Sequence, residues 1–156
     1  MREVLLLVHP TFGVLAAIAA VWVIVEIWNI SEQNLPRIRL GSLLTSVLMI
    51  ITWISGGYWY VVYYAADKAV ILSGPWAFAH NLVMESKEHI FFITLVLSLF
   101  LPIATLGNNL VSSRSARIVV LTTAILIVGS SLALEGMGAI ISLGVKVGLV
   151  HAIGAK

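Results

Sequence analysis

The chain has no cysteine. Disulfides, thiolate metal sites, iron-sulfur clusters and the covalent C-x-x-C-H haem attachment are therefore excluded, and thiols say nothing about redox compartment. Charge is scarce as well. Only 10% of the residues are Asp, Glu, Lys or Arg, against roughly a quarter in an ordinary soluble domain. The formal net charge is +2, and no run of Lys or Arg would track a phosphate backbone, so nucleic acid is not a partner. The sequence contains no P-loop, Gly-rich dinucleotide turn, Ser-His-Asp set or selectivity filter, which argues against hydrolytic and nucleotide-driven enzymes.

What is abundant is apolar surface. Hydrophobic residues make up 60% of the chain and the mean hydropathy is +1.06, values that make lipid rather than water the solvent. A length of 156 residues leaves room for one group of spans and no sizeable extramembrane domain, so a soluble partner has to be a separate chain. About 20 apolar residues cross a bilayer as a helix. Four segments meet or approach that length, at 4–29, 41–64, 89–106 and 118–134. The apolar run after Met1, Arg2 and Glu3 is too long for the core of a cleaved signal peptide, so it reads as a retained first span.

Short polar turns at 30–40 and 107–117 require antiparallel neighbours. The connection from the second span to the third is longer. Asp67 and Lys68 leave the membrane, Gly74-Pro75 starts a helix, and 76–88 reads as a surface helix leading into the third span. Trp53, Tyr58, Trp59, Tyr60, Tyr63, Tyr64 and Trp76 crowd the same side, where rings prefer the headgroup zone. Gly56-Gly57 is expected to bend the second span. Gly136 and Gly138 are expected to break the last helix, leaving the tail 139–156 interfacial or re-entrant, with a fifth short span as the alternative. The expected fold is thus all-α, one multi-pass transmembrane domain over 1–156. It is an integral membrane four-helix bundle with an interfacial helix before the third span and a short C-terminal helix.

Antiparallel spans gather the scattered polar residues on one side: His9, His80, Met84, Glu85, Glu88, His89, Glu135 and Met137. Each short loop on the other side carries two arginines, which suggests that it faces the cytoplasm of a plasma (inner) membrane and that the histidine side and N-terminus lie outside. Arg2, Lys68, Lys87 and the tail lysines argue the other way. Glu85 and His89 are four apart with Glu88 in the same arc, and His80 and Met84 form a second such pair. On the first span His9 shares a face with Gly13, Ala16 and Ala20, a groove suited to a flat macrocycle or to a neighbouring helix. Ser42, Thr45, Met49, Thr52 and Gly56 face the interior from the second span.

Three chemistries fit these residues. Two histidines from different helices at matched depth are what a non-covalent haem b needs, with His9 and His89 as ligands and His80 and His151 left for a second haem. Lys87 or Lys146 would pair with propionates, and Glu85 or Glu135 would accept from the imidazoles. Alternatively, His9, His80, Met84, Glu85, Glu88, His89 and Glu135 would hold a copper, iron or zinc ion. The third is a structural or ion-path subunit, prompted by Glu26 and Glu135 within the apolar zone, with no polar ladder between them and with Glu26 expected to snorkel to the interface. His9-Pro10 at the head of a first span, with His89 further on in a compact four-helix chain, resembles small membrane b-type cytochromes and redox-complex anchor subunits. The likeness covers those three residues. It implies electron transfer with other membrane or periplasmic redox subunits, and with quinone, as partners.

Overall fold

The computed structural model describes residues 2–154, and among them every regular element is helical. Helix α1 spans Arg2–Trp28 and α2 spans Leu35–Ser73. A π-helical stretch, Ala79–Met84, runs directly into α3, Glu85–Leu106, and α4 spans Arg114–Gly154. Four helices are long and apolar enough to cross a membrane, the π stretch counting with α3. Helix is what lipid demands, because every backbone N–H and C=O must find its partner within the segment.

Helix α1 packs against α2 and α4, and α3 packs against the same two. Their shared interior is built from small and β-branched residues, including Ala16, Ala20, Val23, Ile38, Val120, Ala124 and Ile127. Hydroxyls join the helices at close range. Ser42 and Thr105 share a hydrogen bond of 2.8 Å, Ser46 donates to the Ser98 carbonyl, and Thr94 donates to Ser130 at 2.8 Å. Small residues and such bonds are the usual means of association where lipid is as apolar as leucine.

The turn between α1 and α2 is held by one buried side chain. Asn34 Oδ1 accepts from the Ser31 amide at 2.8 Å, while Nδ2 donates to the carbonyls of Glu26 and Asn29 at 2.8 and 3.1 Å. It thereby satisfies orphan carbonyls at the end of α1. Glu26 pairs with Arg37 Nε at 2.9 Å and accepts from the Trp22 indole at 3.2 Å. At the other turn Asn109 Oδ1 accepts from the amides of Val111 and Ser112.

Three expectations change. Helix α4 is not broken at Gly136 and Gly138 but runs on for 41 residues, so the tail continues it rather than forming a separate short helix or turning back. Each interior glycine costs a helix only about 1 kcal/mol, less than the several kcal/mol of each unsatisfied backbone group in lipid, and no proline follows Pro102. Beyond the span expected at 41–64, α2 continues as helix to Ser73 rather than giving way to a loop at Asp67 and Lys68. The lead-in to α3 is not a separate helix but part of one rod, Ala79–Leu106.

The ends expected to share a side do so. Arg2 pairs with Asp67 at 2.6 Å, tying the start of α1 to the far part of α2. There α2, the π stretch and α4 form a second apolar cluster of Tyr64, Ile71, Ala79, Met84 and Ile141. Gly74 and Gly148 meet backbone to backbone, a Cβ on Gly74 standing 2.8 Å from the Gly148 Cα.

Candidate functional site

A cavity of about 530 Å³ lies where the first turns of α1 face the other three helices. Helix α1 contributes Leu5, Leu6, His9 and Pro10, and α2 contributes Thr52, Trp53, Gly56, Trp59 and Tyr60. From α3 and its lead-in come Met84, Lys87, Glu88, Phe91 and Phe92, and from α4 Glu135, Gly138 and Ser142. A smaller pocket of about 20 Å³ shares His9, Thr52, Lys87 and Glu135, and adds Gly13, Met49 and Ser131.

The ionisable side chains sit over glycines of neighbouring helices. His9 lies against Gly56, where a Cβ would collide with the imidazole. Glu135 Oε1 comes to 3.3 Å from where a Cβ of Gly13 would stand, and Lys87 Nζ to 3.0 Å from that of Gly138. Each missing side chain is the room that a charged or polar group of the next helix occupies. The glycine face of α1, expected to be a groove for a macrocycle or a helix, is partly filled in this way by a carboxylate.

His9 Nδ1 lies 2.9 Å from the Thr52 carbonyl. A carbonyl only accepts, so Nδ1 carries the hydrogen and Nε2 keeps its lone pair. The Phe91 ring stands 6.5 Å away, centroid to centroid. Among the described residues neither Lys87 nor Glu135 has an ion-pair partner within 4 Å. A Lys and a carboxylate that stay apart inside apolar helices are costly for the fold, which makes such groups functional candidates.

The histidines do not gather as expected. His89 is exposed, with Nδ1 2.7 Å from the Glu85 carbonyl one turn back, and it does not line the cavity. With 3.6 residues per turn, Lys87, Glu88 and Phe91 face inward and His89 points to the opposite side of α3. His9 and His89 are therefore not brought together as an axial pair. His80 is buried in the second cluster, 3.1 Å from the Tyr64 hydroxyl and 3.8 Å from Glu85 Oε1. Glu85 is half exposed beside it, outside the cavity, and His151 and Lys146 are exposed on the last turns of α4. Of the expected set, His9, Met84, Lys87, Glu88 and Glu135 converge on the cavity. Among the described residues no three of His, Asp and Glu come close enough to form a metal-ligand group.

His80 and Met84, four apart on the π stretch, are both buried on its inner side, but His80 bonds Tyr64 and only Met84 also borders the cavity. Trp59, Tyr60, Phe91, Gly138 and Ser142 were not singled out as site residues. For Phe91, Gly138 and Ser142 a signal exists in the stripes 84, 87, 88, 91 and 135, 138, 139, 142, both at helical spacing; Trp59 and Tyr60 lie in neither stripe. Compared with known proteins, the chain matches no family model, no curated protein and no solved structure.

Proposed function

We propose that this chain is a membrane-embedded redox anchor subunit that takes part in electron transfer, and that the cavity around His9 is the seat of its electron carrier. One observation carries the reading. His9 donates through Nδ1 to a backbone carbonyl, the arrangement that fixes an imidazole and raises the basicity of its other nitrogen, and its Nε2 is left free in a cavity within the usual range of cofactor sites, about 300–1,000 Å³. The ring-lined walls and Lys87, which has no ion-pair partner among the described residues, suit a flat molecule with polar ends.

A haem b in this place would take His9 as its single axial ligand, as a proximal histidine does in globins and peroxidases, with Lys87 beside a propionate. His89 would take no part. A visible spectrum and pyridine haemochrome assay on full-length protein from haem-sufficient cells tests this form. A Soret band is expected to be lost in His9→Ala and kept in His89→Ala; loss in His89→Ala alone would refute it, and a haem-free protein would leave a diffusible carrier as the occupant. The four-helix bundle of a plasma (inner) membrane, with the cavity side outside, belongs to the same proposal.

A second reading, a proton or ion path, is favoured by Glu135, Lys87 and His9 lying together at depth with the hydroxyls of Thr52 and Ser131 below them. Proton uptake by vesicles holding the protein, absent in Glu135→Gln, would favour this reading over the first.

A further inference from the structure

We infer that the carrier taken by this cavity is a quinone, held in both its oxidised and its quinol form. The inference rests on the reading of the cavity as the seat of an electron carrier, and it concerns binding alone.

The way in is from lipid. Leu6, Trp53 and Phe92 line the cavity and are also exposed on the outer surface of their helices, so the mouth opens sideways among acyl chains at the level of the apolar segments. A ligand that uses it is itself dissolved in the bilayer, and its tail can stay there. Inside, the rings of Trp59, Tyr60 and Phe91 line the walls, an aromatic surround suited to a flat head group.

The polar groups specify what that head must offer. The Lys87 ammonium has only hydrogens to give and, among the described residues, no ion-pair partner within 4 Å; it suits a carbonyl oxygen. His9 Nε2 has only a lone pair to give, since Nδ1 holds the hydrogen; it suits a hydroxyl. A quinone carbonyl accepts from Lys87 and leaves His9 without a bond, whereas a quinol, with hydroxyls at the same two ends of the ring, can accept from Lys87 and donate to His9 Nε2; one cavity receives both and holds the quinol by one bond more.

Charge selects against the macrocycle. Glu88 and Glu135 already line the cavity against a single lysine, and a haem would add two propionates to a region of low dielectric where like charges repel strongly. Neither His89 nor His80 reaches the cavity to offer a second axial bond. A neutral head group meets neither obstacle.

The test uses the full chain in phosphatidylcholine nanodiscs, with decylubiquinone and a naphthoquinone bearing the same tail as probes, read by saturable quenching of tryptophan fluorescence. Wild type is expected to bind at least one of them. Lys87→Met is expected to weaken quinone binding about tenfold, and His9→Ala to weaken about tenfold the displacement of that quinone by decylubiquinol while leaving quinone binding itself unchanged, each the loss of one buried hydrogen bond; Lys87→Arg keeps binding and His89→Ala changes neither. Circular dichroism and melting check each variant; Lys87→Gln and His9→Asn replace any that does not fold. Absence of saturable binding by wild type, quinone binding by Lys87→Met equal to wild type, or equal displacement by decylubiquinol in His9→Ala overturns the quinone assignment. A parallel haemin titration separates the two levels: a stoichiometric Soret band lost in His9→Ala, without quinone binding, overturns this inference and leaves the electron-carrier reading standing. Binding of neither overturns both.

Discussion

Alanine at two glycines of α4, twelve residues apart, is expected to change stability in opposite directions. At Gly136 a Cβ meets nothing within 4 Å, so Gly136→Ala only improves helix propensity, by about 0.5–1 kcal/mol. At Gly148 the Cβ would stand 2.5 Å from the Val70 carbonyl oxygen and 2.9 Å from Val70 Cγ1. The oxygen is backbone and cannot swing away, so α2 and α4 have to part by about 1 Å, an overpacking that costs about 1–3 kcal/mol. The propensity gain is common to both variants. Subtracting one result from the other therefore isolates the close approach, and Gly148→Ala is expected to be less stable than Gly136→Ala by about 1–3 kcal/mol. The assay is unfolding by sodium dodecyl sulfate in mixed micelles, followed by far-ultraviolet circular dichroism for wild type and both variants. Equal midpoints for the two variants would show that α2 and α4 do not touch at Gly74 and Gly148, and a destabilised Gly136→Ala would show that α4 is not a continuous helix there.

Asn34→Ala removes the acceptor for the Ser31 amide and the donors to the Glu26 and Asn29 carbonyls; a loss of about 1–3 kcal/mol is expected in the same unfolding assay, and a neutral result would mean that water replaces the side chain. Gly56→Ala drives a methyl group into the His9 ring, so the ligand assays that read His9 should lose their signal even though the imidazole is still present, whereas Gly57→Ala, which meets nothing within 4 Å, should keep it. Asp67→Asn breaks the ion pair with Arg2, whose side chain is 47% exposed; the expected change is under about 1 kcal/mol, and a larger one would place this pair in a drier setting than its exposure implies.

The four spans were legible because hydropathy over a span-length window is a strong signal, and the sharing of sides followed from counting short loops. The azimuth of individual side chains was not. His89 lies four residues from Glu85 and only one from Glu88, and sequence spacing alone does not say which of these faces the neighbouring helices; packing of Phe91 on His9 and Lys87 over Gly138 decides it. The π stretch at Ala79–Met84 shifts the phase further, and no residue pattern announced it. In the sequence Gly136 and Gly138 look like a break, because glycine weakens a helix in water. In lipid the backbone has no alternative partner, so Gly138 serves instead as the space for a lysine.

The lengths of α2 and α4 bear on how the molecule meets its surroundings. At 1.5 Å per residue their 39 and 41 residues measure about 58 and 61 Å. Even at a slant of about 40°, the steep end of what is seen, each would rise about 45 Å along the normal, beyond a hydrocarbon layer of about 30 Å. Both begin just after tight turns and extend toward the His9 end, where they pack with the π stretch around Tyr64, Ile71 and Ile141. Rods longer than the hydrocarbon layer leave part of their length among headgroups or water, so the two ends of this small chain are built unlike each other.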